Sequence, residues 1–218
     1  MKKILASLLA ITTFSTAFAN VPRDFRGMTA EEAKDTIQTL NVFDSIVTYP
    51  YPSWFSNGVV GDISKQKTNT TFIYDQVPNN QTVENWQELY SIYGINNHSP
   101  KSHLGEVVDS TFLPFAKYCG KDNMNVVSLR MQDNDEFYLL FCGGYDNPKE
   151  KAKVYGEVAL FRFMKNDHDY IRLAQEWKVK PFDINDPEAI KGLKTQTIDT
   201  AIDSILNHTF VSDKIAMK

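Results

Sequence analysis

The chain has 218 residues, of which 42% are hydrophobic, 12% aromatic and 23% charged, with a formal net charge of −4. Ten glycines and nine prolines beside ten tyrosines, fourteen phenylalanines and three tryptophans exclude collagen-like, low-complexity and wholly disordered chains. The acidic balance, with a pI near 5.6, carries no electrostatic footprint for nucleic acid or an anionic membrane surface, both of which attract basic proteins.

At the start, Lys2 and Lys3 precede an apolar run from Ile4 to about Phe14, and Ala17-Phe18-Ala19 stands before Asn20. These three parts make a secretory signal peptide over residues 1–19, with cleavage expected between Ala19 and Asn20. The apolar run falls short of the ~20 residues that span a bilayer, and no later stretch approaches that length. No integral membrane segment is therefore expected in the mature chain, and no cysteine lies near the cleavage point to carry a lipid. Both cysteines, Cys119 and Cys142, belong to the exported part, where disulfides persist, and a count of two allows one intramolecular pairing. The competing reading, a cysteine nucleophile, needs a histidine base. The four histidines, His98, His103, His168 and His208, are too scattered for spacing to supply one.

Thr29-Ala30-Glu31-Glu32 reads as a capping box that starts a helix to about Leu40, with Ala30, Ala33, Ile37 and Leu40 on one face. Residues 20–41 are thus expected as a helical extension before a single domain over residues 42–218. From Val42 the chain turns β-rich until Pro50 and Pro52, which lack amide donors, and residues 56–70 read as a loop or hairpin. Thr71–Tyr74 reads as a strand and Val77–Gln81 as a turn. Trp86–Ile95 fits both periods, and its tyrosines and isoleucines favour a strand from about Gln87. Ser102–Cys119 is the clearest helix, with Ser102 as N-cap, Leu104, Val107, Val108, Phe112, Phe115 and Cys119 on one face, and Pro114 as a source of bending. Four strands follow, over residues 125–130, 136–142, 154–164 and 170–177, with connections short enough to make them antiparallel. Asp186-Pro187-Glu188 opens a last helix, expected to continue unbroken to about Asn207. The fold class is α+β: an antiparallel β-sheet covered by helices in a two- or three-layer sandwich.

Two stretches carry a resemblance. Gln81-Thr82-Val83-Glu84-Asn85-Trp86-Gln87-Glu88-Leu89 and Gln175-Glu176-Trp177-Lys178-Val179-Lys180-Pro181-Phe182 resemble an ENW motif and a terminal R-x-W-x-x-x-PF pattern. Both are motifs of a family of small exported Gram-negative bacterial proteins of unknown function. Gln175 stands where the second pattern has arginine. The whole also looks like the PsbP-like architecture. The resemblance implies an exported, non-enzymatic protein-interaction or assembly module of the bacterial envelope or secretome, periplasmic or secreted, whose partner is another protein of the envelope or of a target cell. It implies no cofactor.

For sites, the chain holds no G-x-S-x-G, H-E-x-x-H, Walker or G-x-G-x-x-G motif. His98 and His103 lack ligands at metal spacing, so no metal site is expected. Asp167-His168-Asp169 allows an oriented imidazole for a secreted effector or hydrolase, but the adjacent Asn166 favours a hairpin turn. Gly143-Gly144 allows either a close backbone approach or the end of a strand. Tyr49, Tyr51, Trp54 and Phe55, on a proline-stiffened loop, form the candidate partner surface, because rigid aromatics make good interface anchors. The competing reading is that they cover the core. Trp86 and Trp177 are expected in the core, and a small apolar ligand carried between sheet and helices is the remaining alternative.

Overall fold

The computed structural model describes residues 37–52, 54–55, 60–96, 103–148, 154–193 and 196–214. The expected signal peptide, its Ala19–Asn20 junction, the capping box at Thr29, Ser102 and His98 lie outside the described residues. In chain order the elements are β1 (Ile37–Val42), β2 (Ser45–Pro50), β3 (Val60–Lys67), β4 (Thr71–Pro78), β5 (Glu88–Asn96), α1 (Leu104–Tyr118), β6 (Met124–Gln132), β7 (Asp135–Tyr145), β8 (Tyr155–Lys165), β9 (Asp169–Val179), α2 (Pro187–Leu193), α3 (Gln196–His208) and β10 (Phe210–Asp213). Seven strands form one antiparallel sheet in the order β3-β4-β5-β9-β8-β7-β6, and β1-β2-β10 form a second, smaller one. The α+β class and the antiparallel sheet covered by helices are as expected.

The large sheet exists because β8 and β9 alternate apolar residues on both faces. Gly156 to Met164 are all buried, so each side needs a cover. On one face α1 supplies it. Leu104, Val107, Val108, Thr111 and Phe115 are buried there, and Phe112 stands edge-on to Tyr138, Phe161 and Phe163 at 5.4, 5.7 and 6.0 Å. Cys119 closes this helix and bonds to Cys142 on β7, with the Cα atoms 5.7 Å apart, so the expected disulfide ties helix to sheet. Pro114 sits inside α1 and removes the amide that would have bonded the Ser110 carbonyl.

On the other face, Val158, Leu160, Ile171, Leu173, Phe141 and Tyr90 pack under α3 and the small sheet. Gly94 allows the small sheet to approach, since a Cβ there would collide with the Val42 side chain. Arg162 is buried on this face, and all three of its guanidinium nitrogens are engaged. Its guanidinium forks onto Asp135 through two 2.9 Å hydrogen bonds and donates to the Ile205 and Leu206 carbonyls at 2.6 and 3.0 Å, at the C-terminal end of α3.

Several expectations are corrected. Ile37–Val42 is a strand, not the end of a helix: Gln38, Leu40 and Val42 turn inward at period 2, Ile37 falls on the exposed face, and pairing with β2 through the Phe43–Asp44 turn decides for the strand. The domain therefore begins no later than Ile37. Val60–Lys67 and Thr71–Pro78 are a full hairpin, so Val77 and Pro78 belong to a strand and the turn comes at Asn79–Asn80, where Asn80 has φ 70°. The last helix is two, α2 and α3, and β10 follows with no alternation long enough to signal it.

Replacing both cysteines by alanine is expected to lower unfolding free energy by about 3 kcal/mol, read by chemical denaturation. Arg162→Leu is expected to cost about 3 kcal/mol or more in the same assay, because it strands the α3 carbonyls and leaves Asp135 with Arg130 as its remaining cation, at 3.1 Å. A loss within about 0.5 kcal/mol, typical of surface substitutions, would refute the clamp.

Candidate functional site

The antiparallel register of β5 and β9 sets Glu88 opposite Trp177 and Leu89 opposite Glu176. Glu88 and Trp177 project to the α3 side, Leu89 and Glu176 to the α1 side. Each side holds a distinct site.

On the α3 side is a cavity of about 320 Å³, within the range that small ligands occupy. Gln87 and Glu88 border it from β5, Val158 from β8 and Trp177 to Val179 from β9. Gly192 and Leu193 close it from the end of α2, and Thr197 and Ile198 from the start of α3. The cavity thus lies at the end of α3 opposite to the Arg162 clamp. The wall is mainly apolar. Its polar complement centres on the half-buried Glu88, whose carboxyl burial pushes above its ordinary pKa, with the Trp177 indole opposing that rise. The indole N–H is itself buried and set toward this carboxyl, without closing a hydrogen bond of ordinary geometry. The loop before β5 is held in place by Gln81, whose side-chain oxygen accepts from the Gln87 and Glu88 amides at 2.5 and 3.1 Å, while the Lys178 amide donates to the Gln87 carbonyl at 2.7 Å.

On the α1 side, beyond the cover of that helix, lies a charged patch. Ser91 Oγ donates to Asp75 at 2.7 Å, and Arg172 lies over the Tyr93 and Phe161 rings at 5.2 and 5.8 Å. Lys178 lies over Trp86 and Tyr155 at 4.0 and 4.5 Å. Burial raises the Glu176 carboxyl above its ordinary pKa, against a hydrogen bond with the buried Glu157 and the nearby Arg172. A hydrogen bond between two carboxyls holds one proton between them. Burial likewise raises Asp75, opposed by Ser91 and Arg172. Among the described residues no group of three or more His, Cys, Asp or Glu is placed to hold a metal ion.

The residues singled out in sequence fall differently. Tyr49 and Phe55 are 2% and 1% exposed and Tyr51 and Trp54 partly exposed, which favours the competing reading that the aromatic run covers the core. Tyr49 stacks on Tyr90 with centroids 6.0 Å apart, Trp54 meets the same ring edge-on at 6.2 Å, and Tyr51 stacks on Phe55 at 4.1 Å. Together they cover the edge of the sheet core. Trp177 is core as expected, but Trp86 is half-exposed beneath Lys178. His103 is the exposed N-cap of α1 and makes no side-chain cap bond. Asp167-His168-Asp169 is the hairpin turn. The Asn166 side chain accepts the His168 and Asp169 amides, and Asp169 accepts Ser45 Oγ at 2.5 Å and the Asp44 amide at 3.1 Å, tying the two sheets. His168 itself is exposed, 3.9 Å from Asp213. Gly143 is a site of close approach, but by the chain's own Asn123 side chain and Phe182 backbone. The cavity was missed as a site. Its signal was present in the two quoted motifs, both of which supply its wall.

A carboxyl raised in the folded state stabilises the fold only while protonated, so this contribution is present below the ordinary glutamate range and lost as pH rises through it to the raised value. Glu176→Gln is therefore expected to unfold at higher denaturant than the parent at neutral pH, with the difference closing by about pH 4. A difference that widens toward low pH would contradict the assignment.

No family model matches the chain, and no curated protein matches it. Among solved structures it is similar to a mutant of protein Mog1, at a TM-score of 0.41 and 11% sequence identity, over 82% of this chain and 97% of that one. No helix among the described residues is long and apolar enough to cross a membrane.

Proposed function

We propose that this chain is an exported, non-enzymatic binding protein of the bacterial envelope or secretome that holds a small, largely apolar ligand between its sheet and the α2–α3 pair. The observation that carries this reading is the cavity of about 320 Å³ walled by Val158, Trp177, Val179, Leu193 and Ile198. Export is supported by the three-part pattern of residues 1–19 and by the Cys119–Cys142 bridge, which suits an oxidising compartment. The resemblance of the two motif stretches to exported proteins points the same way. The second reading, an interaction module for another protein, is favoured by a different surface from the one first expected. The edge strand β6 exposes Val127, Leu129 and Met131, at 38%, 36% and 62%.

Two measurements test the proposal. Mass spectrometry of the protein recovered from the periplasm or medium should give an N-terminus at Asn20, and an intact Met1 there would refute the signal. In titrations with small aromatic compounds, neutral and charged, methyl NMR shifts should saturate and centre on Val158, Leu193 and Ile198. Leu193→Trp, which fills the space, should weaken that binding about tenfold or more. Shifts confined to Val127, Leu129 and Met131 would favour the second reading.

A further inference from the structure

We propose that the cavity takes a small organic ammonium ion, with its apolar body against Leu193 and Ile198 and its cationic head between the Glu88 carboxylate and the Trp177 ring. This inference rests on the cavity reading above and names the chemistry of its ligand.

Three observations converge on it. First, Glu88 is a half-buried acid on a mainly apolar wall, and among the described residues no salt bridge reaches it. The nearest cation along the wall, Lys178, leaves on the opposite face of β9 and lies over Trp86 and Tyr155. Lys191 of α2 pairs with Glu188 at 3.7 Å on the exposed side. The raised carboxyl of Glu88 reflects this lack of a counter-ion, since burial is its largest cause and no cation opposes it.

Second, the buried Trp177 indole N–H is set toward that acid, which it already favours in the ionised form, without closing a hydrogen bond of ordinary geometry. A carboxylate kept ionised by a bound ammonium has an oxygen to spare for this donor, so one ligand satisfies both groups. Third, Trp177 and Glu88 line the same cavity, and an indole ring and a carboxylate attract the same charge. A neutral ligand of the same shape gains the apolar wall but leaves Glu88 desolvated and unpaired.

The test is calorimetric titration of the purified, oxidised chain with phenethylammonium and with its neutral isostere, phenethyl alcohol, in parallel with NMR of the Trp177 indole N–H. The ammonium is expected to bind about tenfold or more tighter than the alcohol, and Glu88→Gln to bring it down to the level of the alcohol. The Trp177 N–H signal should move with the ammonium and stay nearly fixed with the alcohol. Equal binding of the two compounds, or a Glu88→Gln chain that still prefers the ammonium, overturns the ammonium assignment and leaves the cavity reading standing. Binding of neither compound, with the parent indistinguishable from Leu193→Trp, overturns both.

Discussion

A strand buried along its whole length sets the terms for this molecule. From Gly156 to Met164, β8 exposes no residue to solvent, so a single sheet must be covered on both faces. The covers differ. One is a helix of fifteen residues stapled by Cys119–Cys142. The other is a composite of α3 and a three-stranded sheet, which the Phe43–Asp44 turn and Asp169 hold against the hairpin between β8 and β9. The disulfide serves one layer and the buried Asp169 serves the other.

Arg162 turns that architecture into a site. A buried guanidinium needs most of its donors satisfied, and here they go to Asp135 and to the two carbonyls at the C-terminal end of α3. The helix is thus fixed at the end far from Trp177. Its other end, with the tail of α2, borders the cavity while Ile198 and Ala201 are buried in the sheet core.

Strand alternation then separates the chemistry of the two faces. Consecutive residues of β9 send Trp177 to the cavity and Glu176 and Lys178 to the charged patch, and consecutive residues of β5 divide Glu88 from Leu89 in the same way. Four acids, Asp75, Glu88, Asp169 and Glu176, all have carboxyls raised chiefly by burial. Of these, Asp75 and Asp169 receive hydroxyl hydrogen bonds and Glu176 shares one with Glu157. The rise at Glu88 is opposed only by the Trp177 indole, which closes no hydrogen bond of ordinary geometry.

The periodicities that local sequence controls were legible: the long strands β7, β8 and β9, the apolar stripe of α1, the strand preference of Trp86–Ile95 and the pairing of the two cysteines. Each depends on residues within one element, or on a count that permits one answer. What depended on distant partners was not legible. Phe210–Asp213 became a strand because β2, far back in the chain, has a second edge, whereas Ile37–Val42 pairs with the adjacent β2 and was masked by the capping box before it. Tyr49 was buried, and Trp54 partly covered, against Tyr90, which lies far along the chain. The candidate site shows the same division. Glu88 and Trp177 stand in two motifs visible in the sequence, but only antiparallel register sets them side by side, and only the packing of α2 and α3 brings Leu193 and Ile198 to them. By itself the sequence determined the elements and the chemical groups they carry. The tertiary structure decided which groups meet, because burial and register are properties of strands far apart in the chain.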